Sequence, residues 1–231
     1  VISLAFTNNA DGVNSLTAEL EASAIDKLKA LGAKYVEVNT GTIRLTLDKE
    51  AINRIDANTT GTVTINAVPV TELSAEAKKL VGNRPVFNIT ITDSAGKQIT
   101  SFGTGSVTLG LRYTPMENEL TGRIAAVYLP TGGTPQILNG SSYKDGWVIW
   151  NRSSLSVYGV GYIATSQIFT DTGNHWAKND IEFITSRGLL TGTSETLFSP
   201  DTAITRGQFV TALGRLSGQD MSGYTKSSFT D

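Results

Sequence analysis

The 231 residues include 39% apolar side chains, enough for two cored domains, and no cysteine, which excludes a disulfide framework. The net charge is -2, made up of 14 basic against 14 acidic groups in residues 1–168 and 5 against 7 in the rest, so neither part is a polyanion or nucleic-acid binder by charge. No stretch approaches the roughly 18 apolar residues of a membrane span, and the N-terminus lacks the basic start and cleavage signature of a leader; beginning at Val1, the chain reads as an excised fragment.

From Val1 to Ile163 short segments alternate apolar and polar residues and are separated by Gly, Asn, Asp and Thr turns. The pattern predicts strands over Val1–Phe6, Tyr35–Val38, Thr42–Leu47, Thr62–Val70, Val86–Thr92, Val107–Tyr113, Ile124–Leu129, Trp147–Trp150 and Leu155–Ile163. Strands at that spacing predict a β-sandwich. Three stretches read as short helices: Glu21–Leu31, with Ala24, Leu28 and Leu31 on one side, Lys49–Ile55, and Ser74–Val81, which begins on a capping serine. Turns are expected at 94–96, 131–133 and 139–142, the first two as hairpins. Residues 40–47 and 104–111 echo one another, each a Thr-Gly turn followed by alternating apolar positions, and both read as sheet edges. Trp147 and Trp150 fall on opposite faces of one strand, so one indole is expected in the core and the other outward, in a structural role rather than as a sugar platform.

Little in this region carries chemistry. The single histidine, His175, lies outside it, which excludes a Ser-His-Asp or Cys-His nucleophile system and zinc sites of the usual kind. Acid pairs such as Glu19 and Glu21, or Glu117 and Glu119, read as solvated charges rather than a glycosidase pair. Asn8, Asn9, Asp11 and Asn14 around Gly12 hold oxygens enough for a weak calcium loop, but the spacing misses the EF-hand and a polar hairpin turn is the better reading. No cofactor is expected, nor any catalytic residue.

After a polar linker at 165–168 the pattern changes period. Asn174 is placed to cap a helix in which Trp176, Ile181 and Ile184 recur at helical spacing, with Gly188 at the left-handed exit. A turn-rich stretch from Thr191 to Asp201 follows. Thr205 and Gln208 then give a capping box at the head of a second helix carrying Phe209, Leu213 and Leu216 and closed by Gly218. Trp176, at the first turn of an amphipathic helix, reads as a core anchor more readily than as a sugar contact. Arg206 is either a ligand-binding guanidinium near a helix N-terminus or a surface arginine paired with Asp201 or Asp171.

These motifs, namely Phe169-x-Asp171, His175-Trp176-Ala177, Gly188-Leu189-Leu190-x-Gly192, Phe198-x-Pro200 and Ile204-Thr205-Arg206, resemble a bacterial S-layer homology repeat. Residues 227–231 repeat the opening and resemble the start of a second copy. The resemblance implies a trefoil of three repeats whose grooves bind secondary cell-wall polysaccharide, often pyruvylated, with glycan contacts at Asp171, Trp176, Gly192, Thr205 and Arg206. Where the family has Ala and an acid after Thr-Arg, this chain has Gly207 and Gln208. The glutamine still completes a capping box, while the glycine costs about 1 kcal/mol of helix propensity. More weakly, residues 107–162 resemble the β-sandwich modules that precede such repeats in Gram-positive surface proteins.

The expected organisation is a mainly β chain with a small α domain: a sandwich over 1–164, a linker at 165–168, a helix-loop-helix repeat over 169–218, and a linker with the start of a second repeat over 219–231. The expected function is non-catalytic anchoring of an extracellular protein to the wall or S-layer, with the sandwich as structural or adhesive spacer. The alternative is the ancillary C-terminal region of a secreted polysaccharide-degrading enzyme with its catalytic domain upstream. Self-association through the incomplete repeat region stays open. About fifty residues bury too little surface alone, so Phe209 and Leu213 are expected to pack on the sandwich or on a second copy of the chain.

Overall fold

The computed structural model describes residues 1–5, 16–165, 167–218 and 223. The residues of the calcium-loop reading, Phe6 of the first expected strand, and 224–231 with the entry to a second repeat lie outside the described residues, as does Ser166 of the linker. In chain order the elements are β1 (Ile2–Ala5), β2 (Leu16–Leu20), α1 (Ala22–Ala30), β3 (Tyr35–Asn39), β4 (Ile43–Asp48), α2 (Lys49–Asn58), β5 (Val63–Pro69), α3 (Ala75–Val81), β6 (Val86–Asp93), β7 (Gln98–Ile99) and β8 (Val107–Arg112). A single 3₁₀ turn, Thr121–Arg123, leads into β9 (Ile124–Tyr128), followed by β10 (Gln136–Ile137), β11 (Ser142–Lys144), β12 (Trp147–Arg152), β13 (Val157–Tyr162), α4 (Lys178–Ser186) and α5 (Arg206–Ser217). The protein is mainly β, with a small helical part at the C-terminal end.

The described residues form two units. One takes residues 1–117 and 124–162; the other takes 118–123 and the chain from Ile163 onward. The first is a sandwich of two sheets, ordered β1-β3-β4-β8-β12-β11 and β10-β9-β13-β6-β5-β2, with β7 paired to β6. Neighbours are antiparallel except β1 and β3. The alternation is that of strands half-buried on one face. Ile43, Leu45 and Leu47 of β4 are buried while the residues between them are not, and β5 repeats this with Val63, Ile65 and Ala67. These side chains join Leu109, Ile91 and Val160 in one core. The echoing segments 40–47 and 104–111 are not edges: β4 and β8 pair with each other in the sheet interior, Leu45 opposite Leu109. Both are buried on one face, which the same alternating pattern cannot distinguish from an edge.

The three helices fall where sequence places them. Asp48 caps α2 by accepting from the Ala51 N–H at 2.8 Å, and Ser74 caps α3 by accepting from Ala77 at 3.2 Å. Ile25 and Leu28 of α1, with Ile52 and Ile55 of α2, extend the sandwich core. α3 packs Ala77 and Val81 on the outer side of the second sheet, in a separate cluster with Val86, Val127 and Leu129. Gly159 makes room for it, since a Cβ there would stand 3.3 Å from Val81. Trp150 is the core indole, tilted against Tyr158 at 5.3 Å, and Trp147 is the outward one.

Candidate functional site

In the second unit, the helix exit and the helix entry that sequence marks as signals frame a groove. α4 ends in a Schellman motif: Gly188, at φ 64°, donates to Thr185 and Leu189 donates to Ile184 at 2.8 Å. The loop then turns through Gly192, whose φ is 81° and where a Cβ would stand 2.7 Å from both the Leu197 carbonyl and the Phe169 ring. Only glycine fits. Phe169 is buried and meets Phe198 edge-on at 5.5 Å. At the head of α5 the capping box forms: Gln208 N–H donates to the Thr205 hydroxyl at 3.2 Å and Thr205 N–H donates to the Gln208 side chain at 2.8 Å. Gly218 closes the helix in the left-handed region.

Between the loop and α5 lies an open groove of about 510 Å³. The hydroxyl-bearing residues Thr193, Ser199, Thr202, Thr205 and Thr211 line it, beside Leu190, Phe198 and Ile204. At its far end Arg215 donates to the carbonyls of Gly188 and Leu189, at 3.2 and 3.1 Å, tying α5 to the end of α4. Sequence reading missed Arg215; its one signal was a cation in the last turn of a helix.

The expected contact residues are dispersed around this groove. Gly192 and Thr205 line it; Asp171, Trp176 and Arg206 do not. Asp171 staples the loop instead, accepting from the N–H groups of Phe198 at 3.0 Å and Ser199 at 2.7 Å. Those amides hold its carboxyl below the usual carboxylate range. Arg206 is exposed, and neither pairing foreseen for it forms: Asp171 is taken up by backbone amides and Asp201 faces His175 at 3.4 Å. Along the chain it stands between two lining residues, Thr205 and Gly207.

Three readings of the repeat need correction. Trp176 is not a core anchor: it is 87% exposed and precedes α4, resting against the His175 ring at 5.4 Å. The helix begins later than Asn174 would set it, because Asn174 does not cap. His175 Nδ1 instead accepts from the Ala177 N–H at 3.1 Å, and α4 starts at Lys178. Phe209 and Leu213, expected to be covered, are 53% and 49% exposed, and α5 has no buried residue. The apolar side of α4 does have partners, since Ile181 and Leu189 are buried and the 118–123 segment packs on the helix through Gly122 and Arg123.

Among the described residues no cluster of His, Asp and Glu could hold a metal ion, and no helix is long and apolar enough to cross a membrane. The chain is similar to the amylopullulanase of Thermoanaerobacterium thermosulfurigenes, 24% identical over 190 residues, a match that takes in 81% of this chain but only 10% of that protein. Residues 168–210, which hold Asp171, Trp176, Gly192, Thr205 and Arg206, match the family model of the S-layer homology domain. The chain thus carries an S-layer homology domain, a wall-anchoring module, and is that of a cell-surface, wall-associated protein.

Proposed function

We propose that this chain holds a surface protein on the bacterial wall by binding secondary cell-wall polysaccharide, with no reaction of its own. The organisation proposed with it is a sandwich module over 1–164, a linker at 165–168, the wall-binding repeat over 169–218 and a linker with the start of a further repeat over 219–231. The observation that carries the reading is the hydroxyl-lined groove between the Gly192 loop and the capping box of α5, inside the segment that matches the S-layer homology family. Hydroxyl and amide groups around an apolar floor suit sugar hydroxyls and ring C–H faces together. Arg206, charged, exposed and unpaired among the described residues, stands beside the groove, where its planar fork fits a carboxylate such as a pyruvate ketal. Gly192 and Thr205 shape the wall, Asp171 sets the loop, and the exposed Trp176 ring supplies a stacking face.

Sedimentation with purified sacculi tests this. The chain is expected to co-sediment, to lose binding when the secondary polymer is acid-extracted, and to bind at least tenfold more weakly as Arg206→Ala. Equal binding to extracted sacculi sinks the proposal.

The similarity to an amylopullulanase favours a second reading for the whole protein, in which the chain is the ancillary part of a secreted polysaccharide-degrading enzyme. Both readings leave the chain itself without activity. Hydrolysis of α-glucan by the parent protein separates them. The exposed Phe209, Val210 and Leu213 also support self-association through α5. A larger solution mass that falls on Phe209→Gln with Leu213→Gln is the expected result, and a monomer at all concentrations overturns it.

A further inference from the structure

The outer face of the first sheet holds a basic and aromatic cluster that the groove reading does not use. The register places it. Trp147 of β12 stands opposite Arg112 of β8, Arg44 of β4 lies opposite Gly110 of β8, and Lys144 of β11 stands opposite Trp147 on its other side. Both guanidiniums lie against the one indole, Arg44 at 4.8 Å and Arg112 at 5.6 Å from the ring centroid. Two glycines make the arrangement fit. A Cβ on Gly110 would stand 3.2 Å from Trp147 and 3.6 Å from Arg44; one on Gly146, at φ 81°, would stand 2.6 Å from the Arg112 guanidinium. Arg112 is held over that turn by donating to the Asp145 carbonyl at 3.0 Å.

The charge is unbalanced. Among the described residues Arg44, Arg112 and Lys144 form no ion pair; the carboxylates on this face are those of the exposed Asp145 and of Glu37 of β3, which the register sets diagonal to Arg44, so the three cations still outnumber them. Two guanidiniums gathered on one ring concentrate positive charge at one place on the sheet, which favours an anion beside them. Stacking on an indole occupies a guanidinium's face and leaves its N–H edge free to take a carboxylate with two parallel bonds. A strand-interior glycine, which weakens a sheet, is kept where something must approach closely.

We propose that this face binds a carboxylate-bearing polysaccharide, separately from the S-layer homology groove. The cluster crosses four adjacent strands, β4, β8, β12 and β11, roughly 14 Å of flat sheet, so the occupant is an extended chain rather than a single small ion. Thr108, Asn151 and Ser142 stand on the same face and suit sugar hydroxyls. The aromatic ring among cations suits sugar C–H faces that carry acids, and the net charge of -2 for the whole chain argues against nucleic acid.

The test uses the full chain carrying Arg206→Ala, so that failure of the groove reading and failure of this one are distinguishable. Oligogalacturonate is titrated by calorimetry, alongside the same oligomer with its carboxyls methyl-esterified. The free acid is expected to bind with an affinity that falls as salt rises, and the ester at least tenfold more weakly. Arg44→Gln with Arg112→Gln is expected to weaken the free acid at least tenfold with the melting temperature unchanged. Should that variant fail to fold, the acid and ester pair on the parent chain decides. No binding of the free acid, equal binding of acid and ester, or a folded double variant that binds as the parent does overturns the proposal.

Discussion

Arg187 Nη1 donates to the carbonyl oxygen of Gly122 across 2.8 Å, joining residues 65 positions apart in the chain. The guanidinium is buried, lies 4.0 Å over the Phe183 ring, and is pushed down by burial to a pKa of about 10, so it remains charged at neutral pH. Arg187→Ala leaves the Gly122 carbonyl without this donor. The expected cost is about 1–3 kcal/mol, read by denaturant titration of the full chain. A change within experimental scatter would show that the bond contributes nothing net.

Gly122 itself tolerates no side chain, because a Cβ there would stand 2.0 Å from the Asn179 carbonyl and 2.8 Å from the Phe183 N–H, both backbone atoms of α4. Gly122→Ala is expected to push the 118–123 segment off the helix and to destabilise by about 1–3 kcal/mol, the usual range for overfilling. Hydrogen exchange of the α4 amides checks it. Unchanged protection there contradicts the argument.

Acid should loosen the groove loop first. Asp171 has its pKa lowered from 3.8 in the folded chain, chiefly by the Phe198 amide. A group depressed on folding contributes stability that is fully present above its unfolded value and is lost as pH falls through its folded one. The melting temperature is therefore expected to hold near neutrality and to drop below pH 3.8, with Asp171→Asn less stable at neutral pH and flatter in acid. Asp93, lowered chiefly by the Lys97 amide, gives the sandwich the same dependence. If Asp171→Asn with Asp93→Asn keeps the full acid sensitivity, these two carboxylates are not its source.

Trp176 and Phe169 should behave as opposites. Trp176→Ala removes an indole that is 87% exposed and is expected to change stability by no more than about 0.5 kcal/mol. Phe169→Ala empties a buried site and should cost about 3–5 kcal/mol. Paired melting curves decide. A large loss at Trp176 would mean that the indole is covered in solution.

Where a feature rests on local backbone chemistry, the sequence displayed it. The capping box at Thr205 and Gln208, the left-handed Gly188 and Gly218, and the alternation of β4 and β5 needed no distant partner to be recognised. β7, β10 and β11 are too short for a period of two to register, and four of the five residues of β2, Leu-Thr-Ala-Glu-Leu, are good helix formers. Trp176 was misread because a helical period cannot tell whether an aromatic sits inside the first turn or two residues before it. In α4 the answer came from His175, whose ring supplied the N–H acceptor that Asn174 was expected to give. That Arg215, in the last turn of α5, reaches the Gly188 and Leu189 carbonyls is a matter of tertiary placement that its own helix does not show.

The 118–123 segment interrupts the sandwich sequence yet completes the wall-binding unit, which has a practical consequence for grafting. An engineer who fuses the chain from Ile163 onward to a cargo protein leaves behind the acceptor of Arg187 and the partner that Arg123 gives Glu182 at 2.5 Å. The transplanted anchor would begin life with one acceptor of that guanidinium missing and an uncovered face on α4. A fusion that starts upstream of Asn118 takes the missing clasp along, and with it all of β9 to β13, so the portable unit is longer than its family boundaries suggest.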